Sequence, residues 1–143
     1  MQSMRLSLFT PVAPLAALDS SLKDAMAAVV DESALSRAQG CDEMNTLALA
    51  AGIRLCANAR NLSLPLFEKW LNPADREHMP GIKAVQVFCC VYRTAKPWEV
   101  LLQPFGIRAL GPEDMRFYHI GKAQVAFETA REHLKKTKAG AKP

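Results

Sequence analysis

The sequence lacks the features that would place it in a membrane or around a metal ion. It has no run of about 18 uncharged apolar residues, so no segment is expected to cross a membrane. None of its four cysteines forms a C-x-x-C pair, and its three histidines stand at no recognised ligand spacing, which predicts no metal site. We expect buried structural thiols at all four cysteines, which are Cys41, Cys56, Cys89 and Cys90.

Signatures of catalysis and of cofactor binding are also missing. The chain has no glycine-rich phosphate loop and no nucleophile motif. His78 follows Glu77, and His133 follows Glu132, but neighbours in sequence on a helix do not face each other. Neither pair is therefore a ready combination of a base with an orienting acid. We expect a protein that is not an enzyme and that binds no cofactor.

The first residues carry too little apolar sequence for a signal peptide. A short patch at residues 6–9 is followed by Pro11 and Pro14, which interrupt it. We therefore expect a cytoplasmic protein. Polar and apolar residues alternate near the start, which favours an extended arm over residues 1–18.

Charge is distributed unevenly along the chain. Residues 1–80 hold seven Lys or Arg against nine Asp or Glu, a net −2, whereas residues 81–143 hold eleven against five, a net +6. The basic excess is therefore C-terminal, which weakens a DNA-binding interpretation of the first 80 residues, because cations near phosphates supply most of the affinity for duplex DNA. A sequence pI near 9 fits nucleic-acid binding without requiring it. Half of the residues are apolar, which is enough for a core without disulfides.

Helical periodicity dominates the middle of the chain and predicts an all-α fold. A first helix is expected from about Asp19 to Asp31, capped by Asp19 or Ser20. A second begins at Ser36, where Ser36 and Gln39 form a capping-box pattern, and ends at Gly52. Residues 53–61 form a loop, and an apolar helix is expected over residues 82–93 because its apolar residues recur at helical spacing. A short helix follows over residues 98–103.

The segment at residues 62–73, LSLPLFEKWLNP, predicts a short helix with a fixed start and end. Ser63 is placed to cap it, and Pro65 falls in the first turn, where its missing amide hydrogen has little cost. Pro73 disfavours helical geometry at the preceding residue, so the helix ends at Asn72. Trp70 is expected in the core. Such a helix suits recognition in a helix-turn-helix, and an ordinary core helix is the alternative.

A long helix is predicted from Gly111 to about Lys138, because proline and two acids open it and lysines close it. Apolar residues recur along it at three- and four-residue steps, with small residues alternating with large ones; these are Ile120, Ala123, Phe127, Ala130 and Leu134. This seam favours either a subunit contact or packing on the helix's own domain. The residues from 139 onward are expected to be a flexible tail.

Three local patterns resemble the five-helix DNA-binding domain of phage repressors of the lambda-repressor type. LSRAQGC at residues 35–41 is similar to the start of that family's second helix. Leu62-Ser63 followed by FEKWLN at residues 67–72 is similar to its third helix. Pro80 with Val85, Phe88 and Val91 behind it is similar to its fourth. The chain thus resembles a regulatory protein of a phage or prophage over about residues 20–104.

The resemblance implies a helix-turn-helix domain over residues 19–106, a C-terminal helix over residues 107–138 that could support a homodimer, and double-stranded DNA as the partner. It departs from the family in the connection between helices two and three, where 21 positions separate Cys41 from Leu62. The implied contacts with phosphates or base edges are made by seven residues: Arg37, Arg54, Arg60, Lys69, Asn72, Arg76 and Lys83.

A different class of function fits the same sequence. The C-terminal helix could dock a partner helix in an assembly, antitoxin-like or anti-repressor role that involves no nucleic acid. The two interpretations differ in what the seven polar residues do, since a DNA-binding domain needs them on a common surface.

Overall fold

The computed structural model describes residues 15–141, and these residues fold into α-helices with no strand among them. The helices are α1 (Leu18–Glu32), α2 (Arg37–Ala50), α3 (Leu64–Leu71), α4 (Ile82–Tyr92), α5 (Lys96–Leu102) with a 3₁₀ turn (Gln103–Phe105), and α6 (Pro112–Gly140). The predicted all-α class is therefore confirmed. In the described part of the chain, no helix is both long and apolar enough to span a membrane.

The chain divides into two compact units, with the boundary between Ala109 and Leu110. In the first unit α1 packs against α3 and α5, while α2 packs against α3 and α4. The expected arm over residues 1–18 lies mostly outside the described residues, and its end is helical rather than extended at residues 15, 16 and 18. The second unit contains α6, which runs two residues past its expected end.

The start of α1 differs from the prediction. Ala17 is the N-cap residue, and no side chain caps the helix. Asp19 and Ser20 both lie inside the helix instead, and the hydroxyl of Ser20 donates to the carbonyl of Ala17 at 3.0 Å. Asp19 and Ser20 therefore lie two and three positions too late to cap the helix.

The predicted ends of α2 are correct. The Ser36 hydroxyl accepts from the amide of Gln39 at 3.2 Å, and the Gln39 side chain accepts from the amide of Ser36 at 2.9 Å. Gly52 takes a φ of +66° just beyond the C-terminal end, a left-handed conformation that glycine adopts without steric cost. The capping box and the glycine after the helix each depend on residues within four positions of one another. Tertiary packing leaves both of these local structures in place.

The core of the first unit combines apolar residues of α1 to α4 with residues from the α2–α3 connection. Phe88 lies at its centre, with its ring centroid 6.4 Å from that of Phe67 and 4.5 Å from that of Tyr92. Trp70 is buried as predicted. The thiols of Cys41, Cys56 and Cys89 are buried, but Cys90 is exposed, so the prediction for this residue was wrong. The reason is helical geometry, since adjacent residues on α4 point to different sides.

Gly40 of α2 lies against the side chain of Tyr92 on α4. A Cβ atom added to this glycine would overlap the hydroxyl oxygen of Tyr92 and stand 3.0 Å from its Cζ atom. That hydroxyl is buried and has no hydrogen-bond partner among the described residues. The fold therefore tolerates an unpaired polar atom here in order to fit the tyrosine ring between the two helices.

We expect Gly40→Ala to lower the free energy of unfolding by about 1–2 kcal/mol, because overpacking exceeds the gain in helix propensity. Tyr92→Phe should be neutral or stabilising, since it removes an unpaired buried hydroxyl. In the double variant the phenylalanine should relieve much of the overlap and recover stability. Urea unfolding of the four proteins measures this coupling. Strictly additive effects would show that Gly40 and Tyr92 are not in contact.

Candidate nucleic-acid interface

Helix α3 has one buried side and one exposed side, as the sequence predicts. Its N-cap Ser63 accepts from the amide of Leu66 at 3.4 Å. The buried side consists of Phe67, Trp70 and Leu71. Five residues are exposed along the other side and at the C-terminal end, and these are Leu64, Pro65, Glu68, Lys69 and Asn72. A short helix held in this way presents a defined set of side chains to solvent.

The start of α3 is fixed to α2 by a side chain that sequence reasoning missed. Asn45 donates from Nδ2 to the carbonyl of Leu62 and accepts the amide of Leu62 at Oδ1, both at 2.8 Å. The thiol of Cys41, one turn earlier on α2, donates to the same carbonyl at 3.3 Å. The long connection over residues 51–63 therefore returns to α2 before α3 begins. The sequence contained one clue to this contact, because Asn45 lies four residues after Cys41 on the apolar face of the second helix.

The end of α3 is fixed by a lysine of α1. Lys23 is 0% exposed, and its ammonium group donates to the carbonyl of Lys69 at 3.1 Å and to the carbonyl of Asp75. Its Nζ also lies 3.7 Å from Oδ1 of Asp75. A cation is favourable at the carbonyl end of a helix, and here it also ties the loop after α3 to α1. The sequence contained one clue to this role, because Lys23 directly follows Leu22, a residue of the expected apolar face of the first helix.

Asp75 organises the loop that follows α3. Its Oδ1 accepts the amides of Glu77 at 3.0 Å and His78 at 2.9 Å, while Nδ1 of His78 lies 2.9 Å from Oδ2. The bond from the His78 amide, aided by the His78 side chain, lowers the pKa of Asp75 to about 2 although partial burial opposes this. The acid that faces His78 is therefore Asp75 and not its neighbour in sequence, Glu77.

The seven residues proposed from the resemblance are all exposed. Arg54 and Arg60 line the same open groove of about 370 Å³ beside the C-terminal end of α2. Arg37 is the first residue of α2, at the opposite end of the helix from this groove. Its guanidinium group lies 3.5 Å from a carboxylate oxygen of Asp31. Lys69 and Asn72 lie three positions apart at the C-terminal end of α3. The structure thus joins these residues in small groups at different ends of α2 and α3.

The remaining two proposed residues flank the loop after α3. Arg76 follows Asp75 in the loop, and Lys83 lies in the first turn of α4. Two exposed acids, Glu68 and Glu77, are interspersed with the cations in this part of the chain. The cations of the first unit therefore form a mixed surface, and the larger basic excess of the chain lies after residue 80.

A cavity of about 480 Å³ next to α3 is lined by Cys56, Trp70 and His78, among others. Because His78 contacts Asp75, this cavity has the residue types of a thiol-based catalytic site. Burial raises the pKa of Cys56, which is the opposite of what a nucleophilic cysteine requires. Within residues 15–141 no group of three or more His, Cys, Asp or Glu side chains could hold a metal ion. The raised pKa therefore argues against Cys56 as a nucleophile.

Comparison with known proteins adds no relative to this picture. No protein-family model, curated protein or solved structure matches the chain. The likeness to phage repressors consequently rests on the local sequence patterns around α2, α3 and α4 and on the order of the helices.

We expect the loop around Asp75 to weaken in acid. The pKa of Asp75 is about 2 in the folded protein, against an ordinary 3.8. Its contribution to stability is therefore complete above about pH 4 and is lost as the pH falls through about 2. The unfolding temperatures of the wild type and Asp75→Ala should differ near pH 6, where this carboxyl is ionised, and the difference should shrink towards pH 2.

The exposed neighbour supplies the control for that measurement. Glu77→Ala keeps the backbone amide that Asp75 accepts and should leave the unfolding temperature close to that of the wild type. A gap between wild type and Asp75→Ala that is constant across the whole pH range would contradict the assigned role of the carboxylate.

Proposed function

We propose that the part of the chain up to Ala109 is the DNA-binding domain of a transcriptional regulator of the phage-repressor type, with α3 as its recognition helix. The observation that carries this proposal is the way α3 is held. Its apolar side is buried, Asn45 fixes its start, Lys23 fixes its end, and its other side is exposed. α2 packs against it, as the supporting helix of a helix-turn-helix does.

Base contacts in this proposal come from the C-terminal half of α3. The side chains of Lys69 and Asn72 carry donors that suit N7 of either purine in the major groove, and the Lys69 ammonium group also suits O6 of guanine. Glu68, exposed between them and the start of the helix, would repel phosphate but can accept a hydrogen bond from the amine of cytosine. The proposed preference is therefore for sites that contain G·C pairs.

Phosphate contacts come from the cations around α3. Arg37 begins α2 and Arg54 follows its end, so about 21 Å of helix separates them. The two cations therefore lie at opposite ends of α2, where each can contact a different stretch of the DNA backbone. Three further cations add contacts with the phosphates of the DNA backbone, and these are Arg60, Arg76 and Lys83. Such contacts set the position of a protein on DNA without reading its sequence.

The second unit adds long-range attraction to the same polyanion. Residues 110–143 hold seven Lys or Arg against four Asp or Glu. A net positive charge of this size raises the local concentration of the protein near DNA, and its effect declines with salt. The unit needs no base contact to contribute in this way.

A second candidate function is an interaction module that binds no nucleic acid. The observation that favours it is the exposed apolar seam of α6, whose largest member, Phe127, is 62% exposed. Apolar side chains at regular helical spacing are typical of contacts between helices. Binding to duplex DNA distinguishes the two candidates directly.

The first experiment is a salt-titrated binding assay against pooled genomic duplex fragments, with the bound fraction sequenced. The DNA proposal predicts retention that falls steeply with salt and enrichment of a short common sequence. Retention of no fragment even at low salt would favour the interaction module instead.

We expect Arg37→Ala to weaken duplex binding by roughly fivefold at 0.15 M salt and to reduce the salt slope by about 0.9, as the loss of one phosphate contact does. Lys69→Ala, which removes a base contact, should weaken binding to the enriched sequence more than binding to an unrelated duplex. Both side chains are exposed, so the unfolding temperature should be almost unchanged. Fluorescence anisotropy with a labelled duplex measures the affinity at each salt concentration.

The matched control is Arg108→Ala, which removes the same charge from an exposed position outside the proposed interface. Its effect should be small and confined to low salt. If Arg108→Ala weakens binding as much as Lys69→Ala does, the contacts are not centred on α3.

A further inference from the structure

Helix α6 has the properties of a helix that lacks its packing partner. It extends over 29 residues, or about 43 Å, and none of these residues is buried. Its N-terminal end is capped by a hydrogen bond that the amide of Gly111 donates to the carboxylate of Asp114 at 3.2 Å. Most of the stability of a helix in a protein comes from packing of its apolar face, so α6 needs a surface to cover that face.

The apolar face of α6 follows a heptad pattern with two kinds of position. The large residues Ile120, Phe127 and Leu134 occupy one position of the heptad and are 57%, 62% and 54% exposed. The small residues Ala123, Ala130 and Thr137 occupy the other. Large and small side chains therefore alternate at steps of three and four residues. Ala126, Ala130 and His133 line a shallow groove beside this row.

This alternation is self-complementary in one orientation only. In a parallel pair of α6 helices each residue meets its own copy, so layers of two phenylalanines would alternate with layers of two alanines that leave voids. In an antiparallel pair the large position of one helix meets the small position of the other. Phe127 then packs on Ala130, and Leu134 packs on Ala123, which fills each layer evenly.

The charges of α6 favour the same orientation. Its first turn is acidic, with Glu113 and Asp114, and its last turns are basic, with Lys135, Lys136 and Lys138. An antiparallel pair opposes the two helix dipoles and keeps the lysine cluster of one helix away from that of the other. A parallel pair would bring the two lysine clusters together.

We propose that α6 pairs with α6 of a second copy of this chain as an antiparallel coiled coil, centred between Phe127 and Ala130. This inference does not depend on DNA binding, because it follows from the residues of the second unit alone. It goes beyond the proposed function by giving the protein two-fold symmetry. If DNA is bound, the dimer presents two copies of α3, which fits a site made of two inverted halves.

Sedimentation equilibrium of the full chain tests the dimer. The expected mass is twice the 15.7 kDa of one chain. Phe127→Glu should give the monomer mass, because it places a charge in the central layer of the coiled coil. Val125→Glu, which makes the same change at a 63% exposed position on the other side of α6, should stay dimeric.

A monomeric wild type at every concentration would overturn the proposal. A dimer that Phe127→Glu leaves intact would overturn it as well. A dimer lost equally in both variants would mean that the seam is not the contact surface. Each outcome can be read without any DNA, so failure here is separate from failure of the proposed function.

Disulfide cross-linking tests the orientation. Cys90→Ser removes the exposed native thiol, and Ala123→Cys and Leu134→Cys are made separately on this background. In the antiparallel pair position 123 meets position 134, within reach of a disulfide, while each position is about 16 Å from its own copy along the axis. A mixture of the two variants should therefore cross-link on oxidation, and neither variant alone should do so. Cross-linking of each variant with itself would show a parallel pair instead.

Discussion

The buried ammonium group of Lys23 is the contact on which the arrangement of the first unit depends. A fully desolvated lysine is costly unless its donors are satisfied, and this one reaches two main-chain carbonyls and the Asp75 carboxylate. One carbonyl belongs to the last turn of α3, and the other belongs to the loop beyond it. Because all three acceptors would be left without this donor if α1 moved away, α1 and the end of α3 are held together.

Asn45 does for the start of α3 what Lys23 does for its end. An amide side chain that pairs with both the N–H and the C=O of one residue fixes that residue in position and direction. This explains how α3 keeps its place against α2 although the connection over residues 51–63 is much longer than the turn of about 3–4 residues in a helix-turn-helix. The proposed binding to DNA would then cost α3 little conformational entropy, because both of its ends are already fixed.

Local sequence signals predicted the helices well, and long-range contacts account for what was missed. The capping box of α2, the left-handed Gly52 and the limits of α3 each depend on neighbouring residues, so they could be identified in the sequence. The roles of Lys23 and Asn45 depend on partners 46 and 17 positions away, and no pattern in the sequence specifies such pairs. The mixture of cations and acids on the surface around α3 could not be predicted either. The sequence indicates that these charged residues are exposed, but not which of them lie together.

The central claim is that the exposed side of α3 contacts DNA, and a titration of the isotopically labelled protein with a duplex, followed by amide chemical shifts, tests it most directly. The duplex is taken from the sequences enriched in the binding assay. We expect the largest shift changes at Lys69, at Asn72 and in the first turn of α2, with none in the buried centre of α4. Changes restricted to α6, or no change at saturating duplex, would contradict the claim.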